Sequence, residues 1–496
     1  MGFVQKDSLR TMMISYVGIG LGFLNKGLLF LLILSTEQIG LVNLLIAVGI
    51  LFAQLSNFGS VYTTWRFFPF FHNEEKNNHS FFSFVISILG IGVLLVSLVY
   101  LIFKPQIAQF YAENSSLFID YYFWVIPVGV SYSIYLSLEM YLRSFKKNIF
   151  PILVFDLGLR LLVFISLILF WQRLISFHNF VILNSLFYII PASCLILYLN
   201  HLNLLQFKPL QGISKRFKGL MYRYSLWNYI NSLGAILVNS LDVLMIAHYI
   251  GIKGTGVYTT IVFLASAIQV PYKAIIRISS PLVAKYWKSK DMVEMEDIYK
   301  KVSSVSLVIG LGTFLLIWLN IEYLFSFLKS EFKDGIWVFF FLMMGRLLDM
   351  FFGLNGSIFA TSKRYKYDLI FTIVLVLSVF ALNVYLIPIY GIIGAAISTG
   401  CALVFYNIGR LLFVYFVFKL NPFTMRQVPI IMMAIGVFFL GDRFSGLFEN
   451  GIIQLLFQST LVFGLFFVPI FLFNLEPESK AYIKNGLNHL KSKFKA

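Results

Sequence analysis

Fourteen long apolar stretches follow one another along the chain, separated by short polar breaks. A helix needs about 20 residues to cross the hydrocarbon core of a bilayer, and each stretch is near that length. Only helices and closed barrels satisfy every backbone hydrogen bond inside lipid. The pattern therefore predicts an all-α integral membrane protein with about 14 transmembrane helices and no extramembrane domain. The predicted spans are 11–34, 40–65, 81–103, 116–142, 149–171, 177–200, 225–250, 256–284, 302–328, 335–360, 369–388, 391–418, 424–441 and 451–473.

Composition excludes a water-soluble fold, because 59% of the residues are hydrophobic and only 12% are charged. Soluble domains average about 45–50% apolar and about 25% charged residues. The net charge of +17 does not indicate a nucleic-acid partner, since the Lys and Arg residues lie at helix ends. This distribution indicates membrane topology and contact with anionic lipids. Cys194 and Cys401 have no Cys or His at ligand spacing, so no zinc site is expected.

The loop charges test the helix count, because cytoplasmic loops are enriched in Lys and Arg. With the N-terminus inside, 28 of the 39 basic residues fall on inward segments and six on outward loops. The remaining five lie within spans: Lys26, Arg160, Lys273, Arg277 and Arg346. The asymmetry predicts that both termini are cytoplasmic.

The first twelve spans divide into two related halves. An offset of 216 residues superposes Gly18 on Gly234, Lys26 on Asp242 and Gly40 on Gly256, and an offset of 217 aligns two basic loops that start at residues 144 and 361. Six helices per repeat would make the halves parallel repeats about an axis normal to the membrane. Their interface is the expected place for a substrate path.

This duplication predicts four regions. Residues 1–208 form an N-terminal lobe of helices 1–6, and residues 209–420 form a C-terminal lobe of helices 7–12. Helices 13 and 14 occupy 421–475, and 476–496 form a cytoplasmic basic amphipathic tail on the inner leaflet.

Ionisable groups inside a membrane are costly and are functional candidates. Lys26 in span 1 and Asp242 in span 7 have equivalent depths in the two halves. In one interpretation Lys26 binds an anionic substrate group while Asp242 exchanges a proton or sodium ion. In the other, the two form a structural ion pair between the lobes. Four asparagines of the same helices offer hydrogen bonds for sugar hydroxyls or for helix packing: Asn25, Asn228, Asn231 and Asn239.

Two arginines belong to the second helix of each half, Arg66 at the end of span 2 and Arg277 within span 8. A guanidinium grips phosphate with several donors, so either could guide a pyrophosphate. The alternative for Arg66 is a side chain that reaches to the lipid headgroups. In span 5, Asp156 and Arg160 have helical spacing and could pair or line the N-terminal lobe. Two other pairs have the spacing of local ion pairs: Glu139 with Arg143, and Arg346 with Asp349.

Motifs for enzymatic chemistry are missing from the sequence. There is no GxxxxGK[ST], HExxH or GxSxG motif. The six histidines also show no pairing that suggests a catalytic site, which argues against a membrane-embedded glycosyl or acyl transferase. We therefore expect no enzyme activity, no catalytic residues, no metal site and no cofactor apart from a coupling Na⁺ or H⁺.

The sequence resembles the polysaccharide-transporter branch of the multidrug/oligosaccharidyl-lipid/polysaccharide exporter superfamily, which includes the O-unit flippases. The resemblance covers nearly the whole chain and its arrangement of six, six and two helices. It is carried by four segments: Ser35 to Leu41 after span 1, Asn239 to Ile246, Gly254 to Tyr258, and Ile387 to Ala396 entering span 12.

The resemblance implies a two-lobed flippase of the bacterial inner membrane that works by alternating access. Its substrate would be a polyprenyl-pyrophosphate-linked oligosaccharide for surface polysaccharide such as lipopolysaccharide O-antigen or capsule. Lys26, Arg66 and Arg277 match the cationic cavity of such proteins, with Arg160 as an addition. Membrane lipids, polysaccharide polymerase machinery and a monomeric state are the implied partners and assembly.

Relatives that export drugs depend on acidic residues in one lobe, a role that Asp156 could play. The alternative function is therefore a cation-coupled exporter of small amphipathic compounds. The excess of basic over acidic groups within the spans favours the anionic, lipid-linked substrate.

Overall fold

The computed structural model of the protein describes residues 3–71, 78–205, 207, 214–364, 366–473 and 475. These residues are almost entirely helical and form two compact units, Met1–Thr260 and Ile261–Ala496. The predicted tail 476–496 lies outside the described residues. The helices that begin in the first unit are α1 Phe3–Phe23, α2 Phe30–Ile33, α3 Thr36–Ser56, α4 Ser60–Phe71, α5 Asn78–Ile102, α6 Lys104–Tyr111, α7 Ser116–Asp120, α8 Val125–Ser144, α9 Ile149–Ile152, α10 Arg160–Trp171, α11 Phe177–Leu186, α12 Ile189–His201, α13 Lys215–Tyr249 and α14 Ile252–Ala265.

The second unit continues with nine helices among its described residues. They are α15 Gln269–Ser289, α16 Met292–Trp318, α17 Ile321–Ser326, α18 Ile336–Phe351, α19 Asn355–Thr361, α20 Lys366–Phe413, α21 Gln427–Arg443, α22 Gly451–Val462 and α23 Val468–Leu472.

Polar caps and glycines set several helix ends. Ser35 accepts from the backbone of Gln38 while the Gln38 side chain accepts from the backbone of Ser35, so both donors at the start of α3 are satisfied. Ser214 caps α13 in the same manner by accepting from Phe217. In α20, Gly391 has φ 62° and ψ −140°, which breaks this 48-residue element into two helices.

Within the described ranges, 11 helical segments are long and apolar enough to cross a membrane. A twelfth is added by Ser330–Phe351 and Asn355–Thr361, which form one apolar segment bent by 53°. The segment Lys366–Phe418 contains two predicted spans, 369–388 and 391–418. The break in this segment at Gly391 agrees with that division. Helix α21, with 17 mostly apolar residues, overlaps the predicted span 424–441. The structure thus gives a polytopic helical membrane protein, and the count of 14 stays a prediction.

Helices α3 and α14 cross at two glycines that the duplication makes equivalent. A Cβ on Gly40 would lie 2.0 Å from the carbonyl oxygen of Ile252, and a Cβ on Gly256 would lie 2.0 Å from that of Thr36. The two contacts are reciprocal, because Ile252 and Gly256 are Thr36 and Gly40 displaced by 216 residues. Reciprocity of this kind is the property of a local twofold axis.

The same repeat organises each unit internally. In the first unit the hydroxyls of Ser60 and Ser137 hydrogen-bond at 2.9 Å, and in the second those of Ser280 and Ser357 do so at 2.6 Å. Both pairs are 77 residues apart in sequence. Each unit also holds a buried core beside its pair, and these cores supply the packing on which the site helices rest. Buried members include Phe82, Tyr141 and Leu142 in the first unit, and Tyr299, Ile358 and Phe359 in the second.

Candidate substrate-binding site

Lys26 is held by a chain of hydrogen bonds within the first unit. Its Nζ donates to Asn43 Oδ1 at 3.0 Å, and Asn43 Nδ2 donates to Thr259 Oγ1 at 3.1 Å. Asn43 and Thr259 are repeat equivalents 216 residues apart. In the described part of the chain Lys26 forms no ion pair, so the predicted pair with Asp242 is absent from this structure. The Lys26 amino group thus has a neutral hydrogen-bond partner in Asn43 and has further donors to offer.

Arg160 lies next to Lys26, against a glycine face of α1. Its Nη1 would be 3.0 Å from a Cβ on Gly18, and its Nε would be 3.3 Å from a Cβ on Gly22. The two missing side chains therefore make room for the guanidinium. Nη1 is buried and has no hydrogen bond, and the charge of Arg160 acts repulsively on Lys26. Two cations with an unsatisfied donor form a place where an anionic group would be stabilised.

Both cations lie at or beside π-helical turns. Lys26 lies within Leu24–Leu29, and Arg160 follows Leu153–Leu159. Asn25 Nδ2 donates at 2.8 Å to the carbonyl oxygen of Arg160, which ties one turn to the other. Such wide turns are rare and are frequently found at functional sites. Asn25 is buried and connects two helices. This contact agrees with a role in helix packing, one of the two roles considered for this residue.

The two acidic candidates are each bonded by a hydroxyl group. Ser15 Oγ donates to Asp156 Oδ2 at 3.2 Å, and the Tyr258 hydroxyl donates to Asp242 Oδ2. Asp242 is buried with 4% of its surface exposed. Although both lie in described ranges, Asp156 and Arg160 form no ion pair, and the expectation of local pairing is not met for them. The π-helical turn between them changes which residues share a face.

The remaining asparagines of α13 differ in their surroundings. Asn228 Nδ2 donates to the carbonyl oxygen of Tyr224 one turn earlier, a purely local bond. Asn231 is half-buried and has no hydrogen bond to any described residue, and Asn239 is exposed.

Arg66 ends its predicted span at an exposed position on α4. Its guanidinium carbon lies 5.7 Å from the centre of the Tyr224 ring, a cation–π contact within the first unit. The neighbouring Trp65 and Phe70 are strongly exposed aromatic residues. These surroundings are typical of the membrane interface and agree with either interpretation of Arg66.

Arg277 lies on the exposed face of α15 in the second unit, one turn after Lys273. Neither side chain has a hydrogen bond or an ion pair with any described residue. The opposite face of the helix packs Ile275, Ser279 and Val283 into the unit. An unpaired cation in hydrocarbon is strongly disfavoured, so this face requires water or an anion beside it.

A buried polar cluster in the second unit was not predicted. Arg410 is 8% exposed and its Nη2 lies 2.7 Å from Asp368 Oδ1. Its guanidinium also lies over the rings of Phe359 and Tyr406. In the sequence, Arg410 was assigned to an inward helix end. Its partner Asp368 lies 42 residues away, so the pair does not have the i,i+3 or i,i+4 spacing that reveals an ion pair within one helix.

The neighbouring pair Arg346 and Asp349 is bonded to other groups. Arg346 Nη1 donates to the Val262 carbonyl at 3.1 Å, and Asp349 Oδ1 accepts from Asn407 Nδ2 at 3.1 Å. The charge of Arg346 also acts attractively on Asp349. The predicted i,i+4 pair of Glu139 and Arg143 is present as an ion pair. Arg143 and Arg410 therefore have carboxylate partners, whereas no ion pair to a described residue is formed by Lys26 or Arg277.

The fold is similar to that of solved membrane transporter structures. A lipid II flippase MurJ in an inward closed conformation superposes with a TM-score of 0.70 at 14% identity, covering 96% of this chain and 99% of that one. A multidrug resistance MATE family transporter of the MOP superfamily, in an inward-facing conformation, gives 0.62 at 14% identity over 82% and 96%. A MOP superfamily transporter from Pyrococcus furiosus gives 0.55 at 15% identity over 83% and 95%.

These identities establish the fold and no more. No family model matches the sequence, and no curated protein matches it. Among the described residues there is also no group of three His, Cys, Asp or Glu side chains that could hold a metal ion. The chain is a multi-span helical membrane protein with a MOP-type transporter fold.

Proposed function

We propose that the protein is a flippase that moves a polyprenyl-pyrophosphate-linked oligosaccharide from the inner to the outer leaflet of the bacterial inner membrane. The glycan would serve surface polysaccharide synthesis of the O-antigen or capsule type. The two units are proposed to alternate in access, with both termini in the cytoplasm. The proposal joins a transporter fold to a site chemistry that favours anions.

The observation that carries the proposal is the set of unneutralised cations within the spans. Lys26 and Arg160 lie side by side in the first unit without an ion pair, and Arg160 Nη1 is a buried donor with no acceptor. Lys273 and Arg277 are exposed in the second unit and form no ion pair with a described residue. Positive charge at membrane depth is costly, and an anionic substrate would lower that cost. A pyrophosphate is the anionic group of this substrate class.

The driving ion is proposed to act at Asp156 or Asp242. Each carboxylate accepts a hydrogen bond from a hydroxyl, from Ser15 and Tyr258 respectively. Neutral hydroxyl donors leave a carboxylate able to exchange a proton or to bind Na⁺ with the same oxygens. Replacement of either carboxylate by its amide is expected to slow transport without abolishing substrate binding.

The test is made in cells that depend on the protein for surface polysaccharide. The double variant Lys26→Ala with Arg277→Ala is expected to lose assembly, because each unit then lacks one cation of its site. The matched control is Lys333→Gln, which removes an exposed, unpaired cation from a short helical turn at 330–335. Intact assembly in the double variant, expressed at the level of the control, would contradict the flippase proposal.

The alternative is a cation-coupled exporter of small amphipathic compounds. The MATE-like fold and the carboxylates Asp156 and Asp242 favour it. It predicts drug resistance in cells that overproduce the protein and little effect of Lys26→Ala. Lys26 and Arg277 have no carboxylate partner within the described ranges, which supports the anionic substrate instead.

A further inference from the structure

We propose that helices α6 and α7, residues 104–120, form an external latch that grips the end of α13 and opens during transport. The loop charges assign this segment, called the strap below, to the outer side of the membrane. The strap belongs to the first repeat, whereas α13 belongs to the second and packs in this structure within the first compact unit. The inference rests on the alternating access of the proposed function, with the two repeats as the moving parts. Contacts that join the repeats on one side of the membrane must then break.

Two side chains of the strap bind carbonyl groups at the end of α13. Ser115 Oγ donates to the Ala247 carbonyl at 2.6 Å, and Asn114 Nδ2 donates to the His248 carbonyl at 2.7 Å. The last four carbonyls of a helix have no partner within the helix, and the strap supplies partners for two of them. Ala247 and Ser115 are both buried, so the closed strap keeps water away from this helix end.

Helix α13 also binds the strap in return, through His248. Its Nδ1 donates to the Phe110 carbonyl at 2.6 Å, and its ring stacks on the Phe110 ring with 3.6 Å between the centroids. Close by, Gly251 has φ 109°, and a Cβ on it would lie 2.6 Å from the Asn114 carbonyl oxygen. Glycine alone adopts this conformation readily and allows this approach. The strap and the turn after α13 therefore fit each other closely.

The strap is fixed to its own repeat by aromatic rings. Phe118 is buried and packs edge-on against Tyr111 and Tyr122, with centroid distances of 5.2 and 6.2 Å. Tyr122 in turn stacks on Tyr100 of α5 at 4.2 Å, and the Tyr100 hydroxyl donates to the Tyr122 carbonyl. These contacts lie within the first repeat and need not change when the repeats move. The hydrogen bonds to α13 are therefore the part of the strap that opens.

The chemistry of the grip suits a contact that opens and closes. All of its acceptors are backbone carbonyls, and residues 112–114 of the strap are exposed, so water can replace each bond when the helix end leaves. The duplication does not require the return bond, since the equivalents of His248 are Leu32 and Leu31 at offsets of 216 and 217. A leucine side chain cannot donate a hydrogen bond. This half of the latch is therefore specific to the end of α13.

The first test measures opening of the latch without any substrate. Cys194 and Cys401 are replaced by serine, and Ser115→Cys places a thiol inside the closed latch, where residue 115 is 1% exposed. The purified full-length protein in phosphatidylcholine nanodiscs is labelled with a membrane-impermeant maleimide, which reaches this thiol only when the strap leaves α13.

The informative variant is His248→Phe, which keeps a ring against Phe110 but removes the donor. We expect it to be labelled about fivefold faster than the reporter protein, the effect of one lost hydrogen bond. The matched control is Tyr249→Phe, which removes a hydroxyl from the exposed neighbouring residue and should leave the rate unchanged. Equal rates in the reporter protein and His248→Phe would overturn the inference. A thiol that stays unreactive until the protein unfolds would also overturn it, because the strap would then be a fixed cap.

The second test locks the latch. Phe110→His places an imidazole beside His248, and Zn²⁺ binds imidazole nitrogens at about 2.0–2.1 Å, so one ion can join two rings this close. In vesicles that carry a fluorescent polyprenyl-pyrophosphate glycan, Zn²⁺ should slow transport by Phe110→His at least about tenfold. A chelator should restore the rate, and wild type should not respond to Zn²⁺.

A raised midpoint of thermal unfolding shows that Zn²⁺ is bound to Phe110→His. Bound Zn²⁺ with an unchanged transport rate would overturn the inference, and if Zn²⁺ does not bind, the labelling rates decide. The predicted labelling rates in a protein that moves no lipid-linked oligosaccharide would support the latch and contradict the proposed function. Oligosaccharide transport with equal labelling rates would overturn the latch and leave the proposed function standing.

Discussion

The crossing of α3 and α14 makes a quantitative prediction about two glycines. In Gly40→Ala the new methyl carbon would lie 2.0 Å from the Ile252 carbonyl oxygen, where ordinary contact begins at 3.4 Å. The helices must therefore separate by about 1.4 Å, the difference of those distances. Overpacking of this kind costs about 1–3 kcal/mol, and strain on the nearby Asn43–Thr259 hydrogen bond brings the total to about 2–4 kcal/mol.

The reciprocity of the crossing adds a prediction about Gly256→Ala. Its methyl carbon would meet the Thr36 carbonyl oxygen at the same 2.0 Å, so the two single variants should lose equal stability. Once one methyl has separated the helices, the second has room. The double variant should therefore lose little more than either single variant, with a coupling energy of about 1–3 kcal/mol.

Equilibrium unfolding in mixed detergent micelles measures these free energies. The control is Gly90→Ala on α5, where a Cβ meets nothing within 4 Å, and its stability should be unchanged or raised by up to about 1 kcal/mol through helix propensity. The predicted close contact would be refuted if the losses of unfolding free energy in Gly40→Ala and Gly256→Ala were additive in the double variant. It would also be refuted if those losses were no larger than that of Gly90→Ala.

Two further predictions concern charged groups. Asp368→Asn should destabilise the protein by about 3–5 kcal/mol because it leaves the Arg410 guanidinium, 8% exposed, without its partner. Thermal unfolding measures this loss of stability. The control is Arg143→Gln, which removes a cation from the more exposed pair with Glu139 and should cost less than about 1 kcal/mol. Equal losses in the two variants would contradict a structural role for the Arg410–Asp368 ion pair. Arg160→Met should keep or raise stability because Nη1 has no hydrogen bond to lose, while it slows transport in vesicles; a large drop in melting temperature would instead indicate a structural role.

Hydropathy and loop charge predict much of the fold because a bilayer restricts the chain to helices of a fixed length. The duplication could also be predicted from the sequence, but aligning the two halves does not show which equivalent residues are in contact. Gly40 and Gly256 were matched as equivalent positions, but equivalence does not imply proximity. Their contact follows from the local twofold crossing of α3 and α14, together with the Asn43–Thr259 hydrogen bond.

The candidate site was harder to predict because its geometry depends on irregular turns and distant partners. Ideal helical spacing places Asp156 and Arg160 on one face, but the π-helical turn Leu153–Leu159 intervenes and Asp156 bonds to Ser15. The partner of Lys26 was missed, since Asn43 is an ordinary polar residue of a predicted span. Arg410 and Asp368 are on helical segments separated by the Gly391 kink, which hydropathy shows only as a polar break.

Direct observation of substrate movement tests the central claim that unpaired cations of both units bind an anionic, lipid-linked substrate. The purified protein is reconstituted in vesicles that carry a fluorescent polyprenyl-pyrophosphate glycan, and the fraction accessible to a membrane-impermeant quencher is followed over time. The account predicts that wild type redistributes the glycan between leaflets, that Lys26→Ala with Arg277→Ala slows this at least about tenfold, and that Lys333→Gln does not. An unchanged leaflet distribution with wild-type protein, or equal rates for wild type and the double variant, would contradict it.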